Sequence, residues 1–292
     1  MIISNSLNYI KESKFINHFI SILKENPITF FAFLMLFFFM ITAILGPYLV
    51  PYDPLETNAK IALQPPSIEH LFGTDNLGRD VFSRVIVATR LDLTISVLAV
   101  LMSFIIGSFL GTLAGYWGGW LDVFLSRILD TIMAFPLFVL AMGIVAALGN
   151  TIENIIYATA IINIPFYARL VRAEVNIRRE ASFVHAAKMA GNSEFKILAI
   201  HIFPNTLPPM MVQVSLNLGW AILNAAGLSF IGLGVRPPTP EWGIMVAEGA
   251  NFIVSGEWWL ALFPGLWLML AVLTFNLLGD GLRDIFDPRK RV

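Results

Sequence analysis

Histidine, carboxylate and amide side chains are the groups in this chain that could do chemistry, and their spacing decides which chemistry is open. The four histidines, His18, His70, His185 and His201, are scattered without metal-ligand spacing. The chain has no cysteine, which excludes thiol catalysis, disulfides and thiolate metal sites. No metal site and no catalytic residue are expected. A phosphate loop of the form G-x-x-x-x-G-K-[ST] is absent, so the chain has no ATPase site of its own. What remains is a set of amides in apolar surroundings. Gln213, Asn217 and Asn224 follow at four and seven residues and share one helix face. Asn163 and Asn276 lie in other apolar stretches and could join them. Such amides can line a route for peptide-like solutes without trapping a charge, or they can tie helices together by hydrogen bonds. The spacing leaves both readings open.

The elements that must carry these amides are membrane helices. Hydrophobic residues make up 57% and charged residues 13%, about half the charged share of a soluble domain, and mean hydropathy is +0.74. The apolar residues come in blocks of about 20, the length that crosses ~30 Å of hydrocarbon. The blocks predict an all-α integral membrane protein with about six spans, at 27–50, 91–116, 123–148, 155–170, 207–230 and 259–278. The first, rich in phenylalanine, reads as a retained signal anchor after an N-terminal segment 1–26. Residues 51–90 read as an extramembrane element, and 91–292 as the main membrane domain with a polar loop at 172–205. Placing both termini in the cytoplasm puts 14 of the 19 Lys and Arg inside and leaves Lys60, Arg79, Arg84, Arg90 and Arg236 outside. Trp117, Trp120, Trp258 and Trp259 fall at span ends, where interfacial Trp belongs. Pro136 and Pro165 should kink their spans. Gly107, Gly111 and Gly115 repeat every four residues, a face that lets another backbone approach closely. A net charge of −1 and the lack of a basic tract give no reason to expect nucleic acid.

Three polar segments carry local patterns. In GTDNLGRD, Gly73 and Gly78 permit tight turns, and Asp75, Arg79 and Asp80 are spaced to pair or to cap helices. In RPPTPEWG, Pro237, Pro238 and Pro240 stiffen the chain ahead of Glu241 and Trp242, as an outer gate or a fixed spacer would require. Asp122, Arg127 and Asp130 can pair across helical turns. The loop EASFVHAAKMAGNSEFKILAIHIFPN predicts a helix from Ser182, as N-cap, to Ala190, stopped by Gly191 and Asn192. Phe183, Ala186, Ala187 and Ala190 would form its apolar face. A second helix from Ser193 should end at Pro204. A cytoplasmic loop so structured is either a docking surface or a solvated amphipathic connection. A secondary transporter would call for internal repeats or intramembrane carboxylates, and an embedded enzyme for intramembrane Asp or His pairs; none is read here.

This loop resembles the coupling motif of ATP-binding-cassette importer permeases, E-A-A, three residues, G, nine residues, I-x-L-P. Ala186, Ala187, Gly191 and Pro204 match it, while His185, His201 and Phe203 depart. The segments FGTDNLGRDVFSR, AAGLSFIGLGVRPPTPEWGIMV and FNLLGDGLRDIFDP, in that order, look like the C-type permease of the dipeptide/oligopeptide/nickel importer family. The resemblance implies a type I importer fold in a bacterial or archaeal cytoplasmic membrane. It implies four partners besides lipid: a homologous B-type permease, two ATPase subunits that bind ATP and Mg, and an extracytoplasmic solute-binding protein. It implies import of di- or oligopeptides by alternating access, with glutathione, nickel or a metal chelate as other cargoes. Phe183, His185, Ala186, Ala187, Gly191 and Pro204 would then meet the ATPase.

Overall fold

A computed structural model describes residues 21–286. Expectations on residues 1–20, including Lys11, Lys14 and His18, and on Asp287 and Pro288 lie outside the described residues. The elements in order are α1 (Pro27–Leu49), α2 (Val81–Trp117), α3 (Gly119–Met133), α4 (Leu137–Leu148), α5 (Ile152–Arg179), α6 (Ser182–Met189), α7 (Glu194–Phe230), α8 (Trp242–Ala250) and α9 (Trp259–Phe286). No strand occurs among the described residues. Helices α1, α2, α5, α7 and α9 are long and apolar enough to cross a membrane, and the pair α3–α4 makes up to six spans if counted as one.

The expected span 123–148 is a broken one. Helix α3 ends at Ala134, Pro136 caps α4 in an extended conformation, and the two halves meet at 87°. A proline with no N–H to donate permits this bend far beyond a kink. Helix α2 starts at Val81, ten residues ahead of the expected Leu91. Its 37 residues reach about 55 Å, well past the hydrocarbon. The early turns read as loop because they contain Arg84 and Arg90, yet Arg84 is buried, as is Asp92 just inside the expected span. Likewise α5 runs on to Arg179, beyond the expected Leu170.

Helices α2 and α5 pack along the glycine face. A Cβ on Gly107 would lie 2.7 Å from Ile164 O, one on Gly115 2.8 Å from Arg172 O, and one on Gly111 would strike Ala168 O. The small-residue stripe is therefore spent inside this chain. Helix α9 lies on α7 and α8, and α1 leans on α2 and α9. Asn26 caps α1 through Ile28 N and Thr29 N and also bonds Asp284 on α9 at 3.2 Å. The faces of α1 and α2 that remain bare carry Phe30, Phe37, Leu98, Leu101 and Phe109, as a lipid-facing surface should.

Candidate coupling surface and translocation route

The polar loop folds as a hairpin of α6 against the first turns of α7. Ser182 is the first helical residue rather than the cap; Ala181 holds that position without a side-chain bond. At the other end Gly191, at φ +77°, closes the helix with paired bonds, Gly191 N to Lys188 O at 3.0 Å and Asn192 N to Ala187 O at 3.2 Å. The buried face is Val184 and Ala187, packed with Val171, Val175, Ile197 and Ile202. Of the expected apolar face, Ala187 is buried with Val184, while Phe183, Ala186 and Ala190 are exposed. His185 is exposed too, 4.0 Å from Glu180. Pro204 does not end a helix. The turns Ile197–Ile202 are widened, so that Phe203 N reaches Leu198 O, and α7 passes through the proline without a break. Arg179 anchors the hairpin by donating to Gly115 O at 3.0 Å at the end of α2. The outcome is an arm whose outward surface mixes charged residues such as Lys188 and Glu194 with large apolar ones: Met189 is 85% exposed and Phe195 81% exposed.

The amide stripe divides between burial and a groove. Asn163 and Asn224 are buried where α5 meets α7; Asn224 Nδ2 donates to Thr159 Oγ1 at 3.0 Å and Asn163 Nδ2 to Thr159 O at 2.9 Å. Asn224 thereby ties α7 to α5, the Asn163 bond stays within α5, and neither residue lines an open route in this conformation. Asn217 is also buried and accepts from Gln213 Nε2 at 2.9 Å. Gln213 alone of the four is half-exposed, on a groove of about 330 Å³ shared with Leu170, Pro208 and Arg283. Asn276 is exposed, its amide returned to Val272 O. Asp122 and Asp130 reach across to α5, pairing with Arg172 and Arg169 at 2.5 Å each, rather than with Arg127.

The outer side is a closed polar cap. Arg79 bonds Asp75 at 2.6 Å and Glu248 at 3.5 Å, Arg84 lies near both acids, and Asp80 caps α2 through Ser83 N while accepting His70 at 2.9 Å. Trp259 is buried under this cap and donates to Thr74 O at 3.3 Å, so it is not an interfacial Trp. Pro237 and Pro238 are exposed, but Pro240, Glu241 and Trp242 are buried. The Trp242 indole N–H donates to Val85 O at 3.0 Å, and the Glu241 carboxylate caps α8 through Gly243 N and Ile244 N. These two residues are a keystone between α2 and α8 rather than a gate lip. The sequence reading also missed a buried carboxylate: Asp92, inside α2, accepts Trp242 N at 3.2 Å and touches the Glu241 carboxyl. Two carboxyls bond only when one holds a proton, and burial pushes the Glu241 carboxyl above its ordinary value. The signal was available, since Asp92 interrupts an apolar run one helical face away from Arg90.

A helical bundle with five candidate spans, or six if the bent pair counts as one, is that of a multi-pass membrane protein. The chain belongs to the family described as the binding-protein-dependent transport system inner membrane component, whose model matches residues 107–292. A second family, the N-terminal transmembrane domain of oligopeptide transport permease C, matches residues 15–66. Among curated relatives, a dipeptide transport system permease protein of Alkalihalophilus pseudofirmus is 45% identical, covering 92% of this chain and 88% of the relative. A probable D,D-dipeptide transport system permease protein of Escherichia coli is 42% identical, covering 91% and 89%. A glutathione transport system permease protein of Pectobacterium atrosepticum is 42% identical, covering 83% and 80%.

Proposed function

We propose that this chain is one permease half of an ATP-driven importer that carries di- or oligopeptides across a bacterial cytoplasmic membrane. Its near-full-length identity to a dipeptide permease supports that cargo. ATP and Mg are bound by two separate ATPase subunits, a homologous permease forms the other half, and a binding protein delivers solute from outside. Both termini and the hairpin 182–205 face the cytoplasm. The exposed Phe183, Met189 and Phe195 seat in the ATPase, and motion there is passed to α5 and α7 through Val184 and Ile197. Glutathione is the second reading, favoured by the 42% identical glutathione permease. The test is ATP-dependent uptake into vesicles containing the purified complex and its binding protein. Labelled dipeptide should accumulate and be displaced by unlabelled dipeptide more than by glutathione; the reverse order would transfer the assignment to glutathione.

A further inference from the structure

Arg90 differs from Arg79 and Arg84. Those two share Asp75 and Glu248. The Arg90 side chain is exposed, with no hydrogen-bond or ion-pair partner among the described residues, while its backbone carbonyl accepts Thr94 Oγ1 at 2.6 Å. It lies on the bare apolar face of α2, whose next exposed residues are Thr94, Val97, Leu98 and Leu101. Helices α1 and α2 meet closely where Gly46 faces Ile86. Beside that contact lies a groove of about 500 Å³ lined by both helices, with Tyr48 toward the end of α1, Ile44 and Arg90 next along the two helices, and Val97 and Leu98 deeper along α2. Tyr48 is one residue from the end of α1 and 81% exposed, so the polar end is at headgroup depth. From Arg90 to Val97 the helix descends about 10 Å toward the membrane midplane, and the lining turns wholly aliphatic. Charge at the rim and hydrocarbon below is the polarity of a phospholipid. An unpaired guanidinium facing lipid is costly unless it snorkels to a phosphate.

We propose that the α1–α2 groove is a phospholipid site on the side of the membrane that carries residues 51–80, with the phosphate held by Arg90 and the Tyr48 hydroxyl and an acyl chain lying along Ile44, Val97 and Leu98. Free phosphate would leave the aliphatic two-thirds of the groove uncovered. Occupancy ties α1 to the main bundle at its outer end.

The experiment places the complex, purified through the full-length chain, in nanodiscs of phosphatidylcholine with a minor fraction of phosphatidylglycerol and reads retained lipid by native mass spectrometry. Arg90→Gln should lower retained phosphatidylglycerol about fivefold, the effect of one basic residue near the surface, and Arg90→Lys should restore most of it. Leu98→Trp, which fills the apolar end with Arg90 intact, should also lower it, whereas Arg236→Gln on an exposed loop should not. A benzophenone side chain at position 97 should form an adduct with the mass of a lipid. Equal retention in Arg90→Gln and wild type, or an adduct with a second polypeptide, would overturn the proposal; the latter would make the groove a subunit interface.

Discussion

Single residues set close packing tolerances and a titration in this bundle. Gly111 has the Ala168 carbonyl where a Cβ would stand, while Gly143 has nothing within 4 Å. Gly111→Ala should force α2 and α5 apart and cost a few kcal/mol, in the range of core overpacking, ~1–3 kcal/mol. Gly143→Ala should be neutral or slightly stabilising. Thermal unfolding of the detergent-purified chain distinguishes them, and an unchanged midpoint for Gly111→Ala would contradict the packing described. Glu241 gives a pH prediction. Its folded value is raised by burial, so the stability it contributes is complete below the ordinary glutamate value and declines as pH rises through the folded value. Wild type should therefore lose stability on the alkaline side, and Glu241→Gln, which cannot ionise but has one acceptor oxygen for the two N–H groups that the carboxylate serves, should flatten that slope while lowering stability overall. A steeper slope in Glu241→Gln would argue against a proton held at this site.

At the scale of elements, the hairpin of α6 and the start of α7 is the part to which the proposed function assigns coupling. Gly191 sits at φ +77° with open space around it, so the need there is conformational rather than steric. Gly191→Ala should cost roughly 1–2 kcal/mol of local stability. Gly191→Pro, whose ring fixes φ near −65°, should destroy the turn and separate ATP hydrolysis from uptake; normally coupled uptake in that variant would remove the hairpin from the mechanism. Met189→Asp and Phe195→Asp alter side chains that touch little in this chain. They should leave folding intact while weakening ATPase binding about tenfold or more, as loss of an apolar anchor does. Much of this element was legible from sequence: the helix 182–189, its glycine stop and its small residues follow from spacing and capping chemistry. The face was misread because Val184, which is fully buried, breaks the three-and-four pattern that favoured Phe183 and Ala186. The helix end at Pro204 was misread because a widened turn needs no sequence signature beyond the proline itself. Span number was readable from apolar blocks, but the start of α2 was not. Arg84 looks like a loop residue, and Asp92 out of place in a span, until Glu248, Glu241 and Trp242, about 150 positions away in sequence, are brought against them.

Across the whole molecule, the amide stripe shows how burial decides between two roles that composition leaves open. Asn224 bonds across from α7 to α5, so Asn224→Leu should impair folding before it alters solute choice. Gln213 faces a groove, and Gln213→Leu should change transport with assembly intact if α7 borders the route; unaltered uptake kinetics would exclude it. Under the proposed function, the hairpin arm, the broken span α3–α4 and the long α5 and α7 would be moved by ATPase subunits outside this chain. The most direct measurement is affinity purification of the tagged chain from membranes in mild detergent, with mass spectrometry of the co-eluting proteins and assay of ATP hydrolysis. A second permease and two nucleotide-binding subunits should co-elute with ATPase activity, and Phe195→Asp should strip away the ATPases alone. A chain that elutes by itself, well folded, and moves solute without ATP would contradict the account and make it a secondary carrier.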